Sequence, residues 1–503
     1  MQAPVLAALS SSGEMLHSTT DPVSQGLVAL VIIGVFVLLT LEYAHRVLVI
    51  FGAVALLWAV TYFTPYKLIG FQAAKEALDV NVLLLLAGMM AIVGVLKTTG
   101  VFPWAVAKLL QRSGGRPTLI QRMVAWFTGT LSAFLDNVTT VIFVTPMAGE
   151  MAVRTGIRPA AYLLPMVMAS NLGGTATLIG DPPNVMIGSG AQLEFMAFIK
   201  YLAVPVLVMM VMLDWFARRY YASDLATERP ALAVETPPIV DPQLLRWALV
   251  ILAGVFIGFF THGVTGIPVA VPAVRGAAAL LIVQDVLYIR RTRPTHAERT
   301  HGLLEVIERE IEWPTLSFFA FLFIAVGAAV ETGLIDTMAN GLIAVVEMGR
   351  TSFGLSPEGT LLFAAIMICW VSGVLSALID NIPYVAVSIP LVSRLIGDLP
   401  GDASVLWWAL ALGACLGGNG TAIGASANVT TIGLAEKRGI RISFREFTAF
   451  GARVTAMTLT ISSLFLAGYV YLGHTATTVW GLVAFAALVG GAALVRRARG
   501  AEA

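Results

Sequence analysis

Charged residues are scarce in this chain, and their scarcity excludes a water-soluble globular protein. Asp, Glu, Lys and Arg make up 12% of the 503 residues and apolar residues make up 58%, whereas a soluble domain has about 25% and about 45–50%. The 31 basic residues are balanced by 30 acidic ones, so no basic surface is left for binding nucleic acid. The composition predicts a helical protein that crosses a lipid bilayer several times.

Cysteine and histidine are also rare. Cys369 and Cys415 lie in apolar stretches, so a disulfide framework is excluded. Of the six histidines, His296 and His301 lie near each other in a charged loop, which is a weak basis for a metal site. Residues 1–25 contain no Lys or Arg and therefore lack the basic start of a secretory signal. We expect them to form a short polar tail.

Long apolar runs dominate the rest of the chain and predict membrane-spanning helices. Three runs, 117–153, 360–393 and 404–436, are too long for one span, and the first two have Asp-Asn in the middle. We interpret those two as helical hairpins that dip into the membrane and return to the same side. The prediction is two hairpins and eleven spans, at 26–43, 47–64, 82–98, 160–190, 194–217, 244–262, 267–289, 315–335, 404–436, 447–472 and 476–495.

Two motifs recur at a common offset of 244 residues, which indicates an internal repeat. Ser-Ala-Phe-Leu-Asp-Asn at 132–137 recurs as Ser-Ala-Leu-Ile-Asp-Asn at 376–381, and the glycine-rich segment 173–185 recurs as 417–429. The first motif lies in the hairpins. The second lies inside a span, where consecutive glycines and prolines interrupt a helix. Each half therefore has a hairpin and a broken helix.

The basic residues predict that the two halves are inverted relative to each other. Lys and Arg flank the first hairpin, whereas the stretch 336–359 before the second hairpin has three acidic residues and Arg350. The first hairpin is therefore predicted to enter from the cytoplasm and the second from outside. Propagating this assignment places residue 1 outside, the basic C-terminus inside, and cytoplasmic loops at 45–46, 218–219, 290–293 and 437–438.

These features give an all-α polytopic membrane protein of about eleven spans, built from two inverted repeats with a re-entrant hairpin and a broken helix each. We expect it in the inner (plasma) membrane. The predicted organisation is an extracytoplasmic tail at 1–25, a first repeat at 26–217, a cytoplasmic linker at 218–243, a second repeat at 244–472, and a final span with a basic tail at 473–503.

Asp136 and Asp380 are the charges at the centres of the hairpins. Ionisable groups at membrane depth are costly and usually serve ions or protons. The alternative is that each carboxylate binds backbone amides and only holds its turn closed, and Asn137 and Asn381 suit turns equally well. The duplication of Asp-Asn on tips that enter from opposite sides favours ion or proton binding.

The broken helices are the second candidate region. Non-helical backbone is tolerated at membrane depth where it is buried in protein or lines a watery cavity, and such breaks hold the substrate in many transporters. The simpler alternative is that the glycines only let helices cross closely. Asp181, which has Ala425 as its counterpart, marks functional asymmetry or caps a half-helix. The candidate substrate and ion-binding residues are Asp136, Asn137, Thr139, Gly173, Gly174, Thr177, Asn184, Asp380, Asn381, Gly417, Gly418, Thr421, Ser426 and Asn428.

These motifs closely resemble those of the ion transporter superfamily, and within it the group of arsenite permeases, D-type bacterial sodium/proton antiporters, plant silicon exporters and the melanosomal P protein. The resemblance covers about 26–475. Its main segments are Ser-Ala-Phe-Leu-Asp-Asn-Val-Thr-Thr from 132, Asn-Leu-Gly-Gly-Thr-Ala-Thr-Leu-Ile-Gly-Asp-Pro-Pro-Asn from 171, Ser-Ala-Leu-Ile-Asp-Asn-Ile-Pro-Tyr from 376, and Gly-Gly-Asn-Gly-Thr-Ala-Ile-Gly-Ala-Ser-Ala-Asn-Val from 417.

The resemblance implies an elevator-type secondary transporter, usually a homodimer, whose mobile domain holds both hairpins and both broken helices. It implies H⁺ and Na⁺ as coupling ions, no other cofactor, and an ATPase subunit as a partner, as in arsenite pumps. By the same resemblance, Na⁺ would be held at Asn137, Thr177, Asn381 and Thr421. Citrate-transporter-like dicarboxylate members have Ser before each tip Asn. This chain has Asp there, which argues against citrate or succinate.

The charge balance of the motifs gives the predicted substrate. Two buried carboxylates without a basic residue in either motif would repel a di- or trianion, but they suit a cation, a proton or a neutral hydroxyacid such as As(OH)3. We predict a transporter rather than an enzyme, one that exports arsenite or antimonite coupled to protons. A Na⁺/H⁺ antiporter is the main alternative, followed by a silicic acid or carboxylate transporter. An intramembrane aspartyl protease accounts for two membrane aspartates but not for the inverted duplication.

Overall fold

The computed structural model describes residues 21–41, 43–226, 235–292, 307–399 and 401–501. These residues form helices and turns without a β-strand, and ten of the helices are long and apolar enough to cross a membrane. Nine of them match predicted spans. The tenth, Pro357–Leu378, is the first arm of the second hairpin, and the two remaining predicted spans are the broken helices. The predicted all-α polytopic membrane fold is confirmed.

The helices of the first half contain the predicted hairpin and the predicted break. They are α1 (Pro22–Thr40), α2 (Arg46–Phe63), α3 (Phe71–Glu76), α4 (Val80–Thr98), α5 (Val101–Arg112), the hairpin arms α6 (Pro117–Ser132) and α7 (Asn137–Thr155), the half-helices α8 (Ala160–Thr175) and α9 (Pro182–Gly190), α10 (Phe195–Tyr220) and α11 (Ala222–Leu225).

The second half repeats this order. Its helices are α12 (Pro242–Thr265), α13 (Ala270–Thr292), α14 (Trp313–Glu331), α15 (Leu334–Phe353), the hairpin arms α16 (Pro357–Leu378) and α17 (Asn381–Asp398), the half-helices α18 (Val405–Gly417) and α19 (Ser426–Glu436) with a 3-10 turn (Gly418–Gly420) between them, α20 (Phe444–Tyr471) and α21 (Gly473–Ala501).

Local capping moves two of the predicted boundaries. Helix α1 begins at Pro22 rather than at residue 26, because the Asp21 side chain accepts hydrogen bonds from the amides of Val23 and Ser24 and proline suits the first helical position. Asp241 caps α12 in the same way. The predicted tail, 1–25, therefore ends about four residues earlier than expected. Residues 1–20 of the tail and 227–234 of the predicted linker lie outside the described residues.

Two amphipathic helices, α5 and α15, were not among the predicted spans. Each begins after a glycine in the left-handed conformation, Gly100 with φ 77° and Gly333 with φ 71°, a region that glycine enters at little cost. They occupy equivalent positions in the two halves and lead into the hairpins.

Packing divides the helices into two groups. In the first group, α4 and α12 pack against α13, and α2 packs against α14. In the second group, each hairpin packs against the broken helix of its own half, α6 against α8 and α16 against α18, and α20 packs against α16 and α18. The hydrophobic core extends through both groups, and burial is most complete in the second group, where every residue of α8 and α18 is buried. Both sequences are apolar on all sides, which suits a helix enclosed by protein.

Candidate substrate and ion site

Each hairpin turns at an aspartate that caps the second arm. The carboxylate of Asp136 accepts a hydrogen bond from the Thr139 amide at 2.9 Å, and that of Asp380 accepts one from the Ile382 amide at 3.1 Å. The turn-capping contact considered as the alternative role is therefore present. It engages Oδ1 of each residue, and Oδ2 of Asp380 accepts a weak bond from the Ser426 hydroxyl at 3.4 Å.

The threonines of the breaks tie each broken helix to the tip of its own hairpin. Thr177 donates its hydroxyl hydrogen to the Ala133 carbonyl, and Thr421 donates to the Ala377 carbonyl, both at 2.5 Å. The two bonds are equivalent in the repeats. Each hairpin tip is thus anchored to the backbone break beside it.

The asparagines of the breaks donate hydrogen bonds to backbone carbonyls that have lost their helical partners at the interruption. Asn184 donates to the carbonyls of Thr175 and Thr177, at 3.0 and 2.9 Å. Asn428 donates to those of Gly418 and Thr421, at 2.8 and 2.9 Å. The sequence led us to expect that the breaks expose carbonyls and side chains to a substrate. These carbonyls are instead satisfied inside the protein, as buried carbonyls generally are.

The glycines of the breaks allow backbone to pack against backbone. A methyl group on Gly173 would lie 1.9 Å from the Gly129 carbonyl oxygen, and one on Gly417 would lie 2.4 Å from that of Gly373. Gly174 and Gly418 each pack against the far side of their own break, at Gly180 and Gly424. Close helix crossing, which the sequence analysis treated as the simpler alternative, therefore accounts for Gly173 and Gly417, and close packing within the break accounts for Gly174 and Gly418.

A cavity of about 700 Å³ lies between the two groups of helices. It brings together six of the fourteen candidate residues: Asp136, Asn137, Thr139, Asp380, Asn381 and Ser426. The other eight, Gly173, Gly174, Thr177, Asn184, Gly417, Gly418, Thr421 and Asn428, form the packed layer described above and support the tips. The structure thus separates the predicted residues into a cavity wall and a scaffold behind it.

Charged residues of the other helix group also line this cavity, and sequence reasoning did not assign them to the site. Arg46, at the start of α2, donates to the Thr315 hydroxyl at 2.7 Å and is close enough to Asp380 to interact with its charge. Lys97 pairs with Glu310 at 2.9 Å, and both line the cavity. The sequence signal for Arg46 was a basic residue in the loop just before a predicted span, which we used only to assign topology.

Asp181 lines the cavity without a counterpart in the second half. It occupies the N-cap position of α9 but its side chain makes no capping hydrogen bond, so the helix-capping interpretation is wrong. Its Oδ1 accepts a hydrogen bond from Asn137 Nδ2 at 3.2 Å. Its Oδ2 is buried away from the cavity, and the carboxylate interacts with the thiol of Cys415. Asp181 is close enough to Asp136 and Asp380 to interact with both charges.

Buried amides connect the two broken helices behind the cavity. Asn171 accepts from Asn137 Nδ2 at 3.2 Å and donates to Oδ1 of Asn419 at 2.9 Å and of Asn428 at 3.0 Å. The thiol of Cys415, which stands where the first repeat has Asn171, donates to Oδ1 of Asn184 at 3.5 Å. Sequence reasoning missed the roles of Asn171 and Asn419, because a contact between repeats leaves no local pattern.

The residues expected to hold Na⁺ are divided by the structure. Asn137 and Asn381 line the cavity, whereas the hydroxyls of Thr177 and Thr421 point to hairpin carbonyls. Within the described ranges, no group of three His, Cys, Asp or Glu residues is placed to hold a metal ion. His296 and His301 lie outside those ranges.

Comparisons with known proteins agree with this architecture. A family model described as "Citrate transporter" matches residues 28–413. The uncharacterized transporter Rv2684 of Mycobacterium tuberculosis is 35% identical over 87% of this chain and 96% of its own length. The human P protein is 30% identical over 87% of this chain and 59% of its own length. The YdaH transporter structure from Alcanivorax borkumensis matches with a TM-score of 0.58 at 14% identity, over 86% of this chain and 99% of that chain, which is a likeness of fold.

Proposed function

Because the chain belongs to the citrate transporter family of membrane transporters, we propose that it is a secondary transporter that exports a small inorganic species coupled to protons. The family assignment, with the P protein among the relatives, confirms the resemblance to the ion transporter superfamily. The substrate, the coupling ion and the direction of transport are the proposed elements.

The cluster of three aspartates in the cavity is the observation that carries this proposal. Asp136, Asp181 and Asp380 all line it, and Arg46 is the basic group that interacts with Asp380. Like charges at short range in a poorly solvated site repel strongly. A citrate trianion would add to this repulsion, whereas a cation, a proton or a neutral hydroxyacid would not.

Arsenite and antimonite are the neutral hydroxyacids that we propose as substrates. Each has three hydroxyl groups, which donate hydrogen bonds, and carboxylate oxygens are strong acceptors. The amide of Asn381 and the hydroxyl of Ser426 also line the cavity and can donate to substrate oxygens. Silicic acid offers similar chemistry with a fourth hydroxyl and ranks behind.

The residues at one end of the cavity favour a substrate that enters from the cytoplasm. Arg46, Lys97 and Glu310 line it and lie at chain segments for which the distribution of basic residues predicts a cytoplasmic position. Asp136 and Asp380 are proposed to exchange protons in the cycle, since each has an oxygen beyond the one used for capping.

Na⁺/H⁺ exchange is the second candidate function. Its supporting observation is that Asp136, Asp380, Asn137 and Asn381, whose side chains all contain oxygen atoms, line the same cavity, and hard cations prefer oxygen ligands. A carboxylate substrate is supported by the description of the family model and by the positive charge of Arg46 at the cavity. The three aspartates of the cavity would repel it.

A single assay separates these substrates. The purified protein is reconstituted in proteoliposomes with an internal pH dye and challenged with arsenite, antimonite, Na⁺, Li⁺, silicate and citrate. Proton flux driven by arsenite or antimonite supports the proposal. Flux driven by Na⁺ or Li⁺ alone moves the assignment to cation exchange, and flux driven by citrate alone refutes the charge argument. Cleavage of a model transmembrane peptide by the same preparation would indicate a protease.

A further inference from the structure

A histidine of α12 caps the first turn of α10. Nε2 of His262, in the last turn of α12, accepts a hydrogen bond from the backbone amide of Phe195 at 2.8 Å. Phe195 is the first residue of α10, and Glu194, at the N-cap position before it, makes no capping hydrogen bond with its own side chain. An amide in the first turn of a helix has no partner within that helix. His262 therefore supplies the cap from a neighbouring helix.

This hydrogen bond crosses the boundary between the two groups of helices. Helix α12 belongs to the first group, whereas α10 packs against α8, α6 and α20 of the second group as well as against α12. A second hydrogen bond also crosses the boundary, from Asn81 Nδ2 of α4 to the Ser189 hydroxyl of α9 at 3.3 Å. Alternating access moves one group relative to the other, so we expect both bonds to break in each cycle.

Aromatic rings pack across the same boundary. Phe195 stacks on Phe259 of α12 with ring centroids 5.6 Å apart. Phe134, at the tip of the first hairpin, meets Phe256 of α12 edge to face at 5.5 Å. These rings do not titrate, so the hydrogen bond to His262 is the contact among them that a proton can change.

The charged group that acts on the His262 ring is Glu194. Its carboxylate lies against α12, because a methyl group on Gly263 would lie 2.2 Å from Glu194 Cδ. Glu194 is exposed. The first charged residues on or beside the helices that pack against α12 are Lys200 on α10, Arg275 on α13 and Asp79 before α4.

The distribution of basic residues predicts the side of the membrane on which this contact lies. Arg218 and Arg219 stand at the opposite end of α10 and predict that their end is cytoplasmic. His262 and Glu194 are therefore predicted to lie at the extracytoplasmic end of the boundary, away from the end of the cavity that is lined by Lys97.

We propose that His262 is a latch between the two groups of helices, which opens when it binds a proton from the extracytoplasmic side. The neutral ring accepts the Phe195 amide through Nε2. The protonated ring has a hydrogen on both nitrogens and can no longer accept, so it pairs with the Glu194 carboxylate instead. Histidine is the side chain whose ordinary pKa permits this change near neutral pH. The inference goes beyond the proposed function, because it concerns the movement of the groups and holds for any substrate.

The first test measures cross-linking between the groups in the purified, reconstituted protein. In a background without native cysteines, Asn81→Cys and Ser189→Cys are joined by a short bifunctional maleimide. The yield is followed from about pH 8 to about pH 5, the range in which histidine changes its charge. Acidification should lower the yield about threefold or more, the size expected for the loss of one hydrogen bond.

Variants of the histidine separate the latch from other effects of pH. His262→Gln keeps an acceptor oxygen that does not titrate, so it also corrects for the slower reaction of thiols at low pH, and His262→Asn is a second variant of this kind. His262→Ala lacks the acceptor and should give the low yield at every pH. Glu194→Gln should move the midpoint to lower pH, because the charged ring loses its partner.

His474→Gln is the matched control. His474 lies on α21, where its Nε2 contacts the Lys200 carbonyl at 2.9 Å, and its replacement should retain the wild-type dependence of the yield on pH. The same dependence in the wild type and in His262→Gln, or its loss in His474→Gln, overturns the inference.

Transport gives an independent measurement. Exchange of substrate with equal pH on both sides has no proton driving force, and its rate should rise from about pH 8 to about pH 6 in the wild type as the latch opens. The rise should be smaller in His262→Gln, and an identical pH profile in the two proteins contradicts a role of the latch in the cycle. If the wild type transports none of the probes, the proposed function fails, and the cross-linking still decides whether His262 is a latch.

Discussion

At the scale of single residues, the tip aspartates combine a structural contact with a position at the cavity. Each caps a helix through Oδ1, and each lines the cavity. An asparagine side chain has an equivalent capping oxygen but no titratable group. The two roles can therefore be separated by one substitution.

Asp136→Asn and Asp380→Asn should each nearly abolish substrate-driven proton flux while the protein remains folded and membrane-inserted. The amide keeps the cap and removes the group that changes protonation. The measurement is flux in proteoliposomes together with Tm of the purified variants. Asp79→Asn removes a carboxylate from a comparable cap, which accepts from Val82 N at 3.0 Å, and should retain flux. Near wild-type flux in both variants would show that Asp136 and Asp380 only cap their helices and take no part in proton coupling.

Cys369 and Cys415 should both be replaceable by serine without loss of arsenite tolerance in a bacterium that lacks its own exporter. Both thiols are fully buried, and Cys415 lies behind the cavity wall, where it donates to Asn184. Serine can make the same contact. Tolerance is read as growth on graded arsenite, and its loss in Cys415→Ser alone would show that the thiol binds arsenic.

Residue roles were predictable where they follow from local chemistry. The Asp-Asn tips were identified because a charge in an apolar run is conspicuous, and six of the fourteen candidates line the cavity. The supporting roles of Thr177, Asn184 and their counterparts were not predictable, because they depend on tertiary packing. The threonines bond to carbonyls of the hairpins and the asparagines to carbonyls of the breaks. Arg46 and Asn171 act across helices that are far apart in sequence, so periodicity and motif spacing contain no information about them.

At the scale of elements, each hairpin is held to its broken helix by a glycine–glycine crossing. Gly173 faces Gly129, and Gly417 faces Gly373 at the equivalent position. The breaks themselves were predictable from proline and consecutive glycines. The starts of α1 and α12 were placed too late because the apolar pattern begins after the capping residues, and α5 and α15 were missed because they are amphipathic.

Gly173→Ala and Gly417→Ala should each lower the stability of the protein by about 1–3 kcal/mol, because overpacking forces backbone apart. The change should be larger at Gly173, where the added methyl group would lie 1.9 Å from a carbonyl oxygen. Tm of the detergent-purified protein is the measurement. Gly433→Ala, in α19 with no atom within 4 Å of the added methyl group, is the control and should be neutral or stabilising. Equal stability of all three variants would contradict the close crossing.

At the scale of the whole molecule, the inverted orientation of the two halves remains a prediction from the distribution of basic residues. Arg116 and Glu358 are exposed and stand just before or within the first turn of the first hairpin arms. In a background without native cysteines, Arg116→Cys should react with an impermeant thiol reagent from the cytoplasm and Glu358→Cys from outside. Labelling of both from one side of oriented vesicles would contradict the inversion.

The hydrogen bonds between the broken helices have a consequence for the ancestry of the chain. Position 171 contacts 428, and position 415 contacts 184, and both pairs exchange under the offset of 244 residues. This reciprocity defines an isologous interface, the kind that two identical subunits form about a two-fold axis. The chain therefore contains, within one polypeptide, an interface of the kind that a two-fold homodimer forms. The two halves have since diverged, because Cys415 stands at the position equivalent to Asn171 and Ala425 at the position equivalent to Asp181. Two copies of either half would therefore no longer rebuild the cavity.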